Sequence, residues 1–215
     1  RKIMFTGIVQ GQATLSSIKK NSTSSSFEFN FPSGSLNDIT QGASISINGT
    51  CLTVTHHNLE KSSANFDTIE ETLRLTNLDM LEVGDKVSFE RSAKIGDEIG
   101  GHLMSGHIHS KLKVINIEQT LENCRVYLEL SDSIKPYILN KGYVGLNGCS
   151  LTIAELFDTS FSVHLIPETL KVTTFGHLSI GDRVNLEIDS QTQAIVDTVV
   201  RTLSSNNLSS IKSVK

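Results

Sequence analysis

The strongest constraint on the fold of this chain is that its sequence is written twice. Asn48-Gly49-Thr50-Cys51-Leu52-Thr53-Val54 returns 99 positions later as Asn147-Gly148-Cys149-Ser150-Leu151-Thr152-Ile153, and Thr6-Gly7-Ile8-Val9 returns at the same shift as Ser105-Gly106-His107-Ile108. Two further segments recur at a shift of 97: Ile69 to Thr76 as Ile166 to Thr173, and Val83-Gly84-Asp85-Lys86-Val87 as Ile180-Gly181-Asp182-Arg183-Val184. One loop of the second copy is therefore two residues shorter. A period near 98 is too long for a solenoid unit and suits a small independent domain. The expectation is a tandem duplication, with one domain over residues 4–100 and a second over 101–189.

Within each copy, apolar residues alternate with polar ones. Phe27-Glu28-Phe29-Asn30-Phe31, Ser44-Ile45-Ser46-Ile47, Val87-Ser88-Phe89-Glu90, Val126-Tyr127-Leu128-Glu129-Leu130 and Val184-Asn185-Leu186-Glu187-Ile188 read as half-buried strands. About six such segments per copy, with no long helical stretch between them, predict an all-β fold of two six-stranded Greek-key barrels, closed so that no sticky edge remains. The end of the chain differs. Ser190-x-x-Gln193 reads as a capping box, and Ile195, Val196, Val199, Val200 and Leu203 share one stripe, predicting a helix over 190–204. A helix so short needs burial to persist in water, which favours an oligomer. The Ser- and Asn-rich residues 205–215 read as a frayed tail.

Composition removes several classes of function. The net charge of −4 with no basic block argues against a nucleic-acid surface. No apolar run is long enough to span a membrane and the first residues lack a signal-peptide core, so the expected location is the cytoplasm. Cys51, Cys124 and Cys149 are too few and too widely spaced for a disulfide framework or a zinc knuckle.

The repeated Asn-Gly turn has a purely conformational reading, a type I′ hairpin. The residues after the turn are more informative. Cys51 and Ser150 hold the same place, and Thr53 and Thr152 lie two residues on, so each copy offers a thiol or hydroxyl face. Cys124 sits in an alternating strand and reads as packing. His102, His107 and His109 invite a metal reading, but the glycine bend after Gly100 and the lack of a nearby carboxylate or thiol argue against one. His107 replaces Ile8 of the first copy, as an acid or base present on one side only would. His56, His57, His164 and His177 read as solvated surface residues.

Met4-Phe5-Thr6-Gly7-Ile8-Val9-Gln10-Gly11, Asn48 to Val54, Glu71-Thr72-Leu73-Arg74-Leu75-Thr76-Asn77-Leu78, Gly100-Gly101-His102-Leu103-Met104-Ser105-Gly106-His107 and His164 to Leu170 closely resemble the riboflavin synthase alpha-chain family, from Met4 to about Leu203. Arg1-Lys2-Ile3 stand before that family's usual initiator and read as either added or upstream sequence. The resemblance implies a homotrimer held by the C-terminal helix. It also implies dismutation of two 6,7-dimethyl-8-ribityllumazine molecules to riboflavin and a ribitylaminouracil, without cofactor or metal, with lumazine synthase as a candidate partner. The working site would lie between the N-terminal barrel of one subunit and the C-terminal barrel of the next.

Carried over position by position, Gly7, Ile8, Val9, Thr50, Cys51, Leu52, Asp67, Thr68, Ile69, Glu70, Glu71 and Thr72 would line the first pocket, with Phe5 as its cap. Gly106, His107, Ile108, Lys141, Ser150, Leu151, Thr152, Ile166, Pro167, Glu168, Thr169, Leu170 and Lys171 would line the second, and Ser44, Thr53 and Asp189 would give polar support. His107 would be the proton acceptor, with Cys51 and Ser150 as proton donors or transient nucleophiles to ring carbon C7. Where the family usually has an acid, this chain has Asn147, matching its own Asn48, so the resemblance supports no carboxylate there. A lumazine-binding antenna without catalysis is the rival reading. A flavin reductase barrel would need a nucleotide-binding domain that the sequence lacks.

Overall fold

The computed structural model describes residues 4–21, 23–120 and 123–212, with side chains described as far as residue 204. Arg1, Lys2 and Ile3, and residues 213–215 of the expected tail, lie outside the described residues. Twelve strands build two closed antiparallel barrels. The first uses β1 (Gly11–Lys20), β2 (Ser24–Asn30), β3 (Ser44–Ile47), β4 (Thr50–Asn58), β5 (Ser63–Ile69) and β6 (Lys86–Arg91), in the order β1-β2-β5-β4-β3-β6. The second uses β7 (Ser110–Gln119), β8 (Cys124–Glu129), β9 (Tyr143–Leu146), β10 (Cys149–Leu156), β11 (Ser160–Leu165) and β12 (Arg183–Ile188), in the order β10-β11-β8-β7-β12-β9, the same circuit.

The alternating sequence explains why these segments are strands. Phe27 and Phe29 of β2, Leu52 and Val54 of β4, and Val126 and Leu128 of β8 point into the barrels, while their polar neighbours face out. Closure needs local coiling, and bulges supply it at matching places: between Leu15 and Ser17 of β1, Val114 and Asn116 of β7, Val54 and His56 of β4, and Ile153 and Glu155 of β10. Two short helices, α1 (Glu70–Leu75) and α2 (Pro167–Val172), follow β5 and β11. Pro167 opens α2 at a position where its missing N–H costs nothing.

Helix α3 (Ser190–Lys212) is longer than the helix expected over 190–204: its backbone stays helical through part of the segment expected to fray. Ser204 Oγ returns a hydrogen bond to the Val200 carbonyl, so the hydroxyl finds its partner within the helix. The capping box is also displaced by one residue. Asp189, not Ser190, closes the helix start, its carboxylate accepting from Thr192 N at 2.8 Å and Thr192 Oγ1 at 2.7 Å. The Tyr137 hydroxyl donates to Asp197 at 2.6 Å and ties α3 to the second barrel. No described helix is long and apolar enough to cross a membrane.

The barrels meet at their repeated Asn-Gly turns. Asn48 and Asn147 both have φ of 45°, and the following Gly49 and Gly148 have φ of 83° and 81°, the left-handed pair of a type I′ hairpin. The conformational reading of the turn is therefore right, and the turn also joins the barrels. Asn77 Nδ2 donates to Asn147 Oδ1 at 3.2 Å, Asn185 Nδ2 to Asn77 Oδ1 at 3.0 Å and to the Asn48 carbonyl at 2.7 Å, and Asn48 Nδ2 to Asn77 Oδ1 at 3.3 Å. All four asparagines are buried, so each bond satisfies a group that would otherwise be costly. Asn147 Oδ1 also accepts from Asn185 N at 2.8 Å. Asn147 is thus a joint residue, and acceptance at that oxygen is within the reach of a carboxylate as well as a carboxamide.

Candidate functional site

Cys51 and Thr53 project outward from β4, and Ser150 and Thr152 outward from β10, because their neighbours Leu52, Val54, Leu151 and Ile153 fill the interiors. Leu52 and Leu151 therefore offer a site only their backbone. Ser44 lies opposite Thr53 in the β3–β4 pairing, with its hydroxyl near enough to the Cys51 thiol to lower its pKa. Burial raises the Cys51 pKa, the Ser44 hydroxyl opposing and Glu187 adding to it, so the sulfur is a protonated thiol at neutral pH. That suits a proton donor better than a nucleophile. Cys149 is pushed up to about 12 by burial and is inert, and Cys124 is packed in the second core as expected.

Each thiol or hydroxyl is covered by a glycine from the segment leading into the opposite barrel. The Ser150 amide donates to the Gly7 carbonyl at 2.8 Å, and the Cys51 amide donates to the Gly106 carbonyl at 2.9 Å. A β-carbon on Gly7 would lie 2.5 Å from Ser150 Cβ, and one on Gly106 2.5 Å from Cys51 Cβ, so no larger residue fits either place. This corrects the expected grouping. Gly7-Ile8-Val9 belongs with Ser150, Val9 being part of the second barrel's core cluster, and Gly106-His107-Ile108 belongs with Cys51. The repeat shows which segments are equivalent but not that the two lead-ins are exchanged.

Two buried carboxylates that sequence reasoning passed over hold these lead-ins. Glu90 Oε1 accepts from Thr6 N at 2.6 Å and Thr6 Oγ1 at 2.7 Å, and Oε2 accepts from Gly7 N at 3.0 Å. Glu187 repeats the clasp on Ser105 N at 2.6 Å, Ser105 Oγ at 2.9 Å and Gly106 N at 3.0 Å. Burial raises both carboxyl pKa values, partly offset by the donated hydrogen bonds, and Glu187 adds to the rise of Glu90. A charged residue at the same place in two buried strands was the signal available in the sequence.

Phe5, expected as a cap, is 1% exposed; its amide and carbonyl pair with those of Met104 at 2.8 and 3.0 Å, placing it in the join between the halves. His107 is exposed next to Gly106, on the segment that Glu187 holds. Ile108 reaches Gly49. The three histidines do not converge: His102 turns to Ser150, while His109 lies against Tyr137. Asp67 accepts from Ser26 Oγ at 2.6 Å, Thr68 is buried and donates to the Ser25 carbonyl, and Ile69 and Glu70 are exposed at the start of α1. Glu71 is paired along α1 with Arg74, and the Thr72 carbonyl accepts from Thr76. In the second barrel Ile166, Pro167, Glu168 and Lys171 are exposed at α2, Thr169 and Leu170 are half-buried, and Lys141 is exposed with φ of 66°. A groove beside Ser44 and Thr53 is walled by Met4, Ile39, Ala43 and Ile95, and another runs past Ile8, Gln10, Glu90 and Gly100.

Comparison with known proteins agrees with this duplicated architecture. Residues 6–92 and 105–189 each match the lumazine binding domain. The chain is 50% identical to riboflavin synthase of Escherichia coli (strain K12) over 201 residues, covering 93% of each chain. It is 43% identical to riboflavin synthase of Buchnera aphidicola subsp. Schizaphis graminum, covering 92% of this chain and 95% of that one. Among solved structures it resembles LumP complexed with riboflavin, with a TM-score of 0.79, 29% identity and 86% and 98% of the two chains covered. LumP complexed with 6,7-dimethyl-8-(1'-D-ribityl) lumazine superposes with a TM-score of 0.76 at 29% identity, over 84% and 97% of the chains. With both domains matched and half of its residues shared along nearly the whole length, the chain belongs to the riboflavin synthase family, built on two lumazine-binding barrels.

Proposed function

We propose that this chain is a riboflavin synthase that dismutates two 6,7-dimethyl-8-ribityllumazine molecules to riboflavin and 5-amino-6-(ribitylamino)uracil, the last step of riboflavin biosynthesis, in the cytoplasm. The observation that carries the reading is the matched pair of mouths, Gly106 over Cys51 and Gly7 over Ser150, one on each barrel. A reaction between two copies of one substrate calls for two similar seats with unlike chemistry. The products together contain the atoms of the two substrates, so no external oxidant or reductant enters. Holding the rings against one another supplies much of the acceleration, and the remaining task is moving protons. His107 at the first mouth is the proton acceptor, and the Cys51 thiol and Ser150 hydroxyl are the donors facing the two rings. The first seat is completed by Ser44, Thr53 and the Asp67–Thr72 segment, and the second by Lys141, Thr152, the Ile166–Lys171 segment and Asp189.

The reacting pair forms between the first barrel of one chain and the second barrel of the next, in a homotrimer; lumazine synthase is a candidate partner. Supporting this, Ile8 (49%), Ile99 (48%) and Leu103 (42%) are exposed beside the mouths, and Ile195, Val199, Val200 and Leu203 are exposed along α3. The likeness to LumP favours a second reading, a chromophore binder without turnover. Incubating the purified chain with the ribityllumazine decides between them: riboflavin appears if the proposal holds, and only bound, unchanged lumazine if the chain is a binder.

A further inference from the structure

The two mouths differ in what stands behind the reactive oxygen or sulfur. Cys51 has the Ser44 hydroxyl. Ser150 has an imidazole: His102 Nδ1 lies 2.6 Å from Ser150 Oγ, and the ring is only 7% exposed. The fold goes to some length to place it. Gly101 is pressed between the Thr6 carbonyl and Ser150, where any β-carbon would collide with both, so the chain can bend there only as glycine. The ring then lies flat on Tyr143 of β9, centroids 5.2 Å apart and planes within 17°. His102 Nε2 is buried with no hydrogen-bond partner among the described residues. Burial lowers the imidazole pKa, only partly opposed by Asp189 at the end of β12. Together with Tyr143, Asp189 is the titratable group facing the ring. The imidazole is therefore neutral at physiological pH and carries a single lone pair, which faces Ser150 in the tautomer with its proton on Nε2.

We propose that His102 is the positioning residue of the second mouth, accepting the Ser150 hydroxyl proton in a hydrogen bond so that Ser150 Oγ is held facing the lumazine seated there. This rests on the riboflavin synthase reading above and deepens it: one seat carries an imidazole-backed hydroxyl, the other a thiol. The arrangement is peculiar to the second half, because the equivalent place of the first half is an isoleucine in the sequence. His102 acts through Ser150 and does not itself touch substrate.

The test compares His102→Ala, His102→Asn, Ser150→Ala and the His102→Ala/Ser150→Ala double variant in the full-length chain, with kcat, KM and lumazine affinity measured separately. His102→Ala is expected to lower kcat by roughly ten- to a hundredfold with affinity held within about twofold, and Ser150→Ala to do the same. The double variant should be no slower than Ser150→Ala alone, because the two residues act as one unit. His102→Asn places an amide oxygen near the Nδ1 position and should recover much of the rate. Protonating His102 turns Nδ1 into a donor, so the wild-type kcat should fall on the acid side, and that limb should vanish in Ser150→Ala. Independent, multiplicative losses in the double variant, a loss confined to affinity, or full activity of His102→Ala would overturn the proposal. Should His102→Ala not fold, the imidazole nitrogen resonances of the wild-type chain serve instead. Nδ1 is expected to report an accepted hydrogen bond that Ser150→Ala abolishes, and an unchanged spectrum would overturn the pairing. A wild-type chain that binds lumazine but makes no riboflavin refutes the synthase reading, and with it any role in turnover; the nitrogen spectrum tests the pairing separately.

Discussion

Gly49 and Gly148 face each other across the join of the barrels so closely that a β-carbon on Gly49 would lie 2.6 Å from the Gly148 amide nitrogen, and one on Gly148 2.8 Å from that of Gly49. Both also have φ near +80°, which costs an L side chain roughly 1–2 kcal/mol before any collision. Gly49→Ala is therefore expected to lower the unfolding free energy by more than that strain alone and to loosen the joint. Thermal unfolding should show a fall of several degrees in Tm, since about 1 kcal/mol shifts a protein of this size by roughly 2–4 °C. An unchanged Tm would show that the turns can separate without cost.

The two glutamate clasps make stability depend on pH. Burial raises the folded-state pKa values of Glu90 and Glu187 above their ordinary value. Between the ordinary and raised values the folded chain holds more protons than the unfolded chain, so this contribution to stability is full at the acid end and lost as pH rises through the folded pKa. In denaturant melts the advantage of wild type over Glu187→Gln should therefore be largest in acid and shrink toward neutrality. The variant should also lose roughly 1–3 kcal/mol, because a carboxamide has one acceptor oxygen where Ser105 and Gly106 use two. A difference that grew with pH would mean that the clasp favours the ionised form.

The repeat and the period-two pattern made the duplication and the barrels legible from sequence alone. Phe27, Phe29, Val126 and Leu128 point where their spacing says. The site was only half legible. Cys51 and Ser150 stood out because one lies at the other's place, but equivalence does not say which barrel a lead-in covers, and Gly7 and Gly106 are exchanged. His102 was visible only as one of three clustered histidines, because its partner Ser150 is 48 residues away in sequence. Asp189 was read as site support, and the structure shows it capping the C-terminal helix.

His107 stands exposed beside Gly106, free of the packing that locks His102. His107→Gln should depress kcat by roughly a hundredfold or more, the range for a lost general acid or base, while lumazine affinity stays nearly unchanged. Equal losses in both, read by steady-state kinetics and fluorescence titration, would make it a binding residue.

Helix α3 exposes Ile195, Val199, Val200 and Leu203 when the chain is alone. Removing residues from Gln191 onward should leave folded barrels that bind lumazine but barely turn it over, with the mass in solution falling from trimer to monomer. A truncated monomer with full activity would overturn both the assembly and the shared site.

A dismutation between two seats needs nothing but the chain and one substrate. The mass balance of a reaction containing only the full-length chain and 6,7-dimethyl-8-ribityllumazine, after exhaustive chelation, tests that requirement without intermediaries. Two lumazines should be consumed for each riboflavin and each ribitylaminouracil formed, at an undiminished rate. Turnover that stops until zinc or another cofactor is restored, or lumazine that is bound and never consumed, would contradict it.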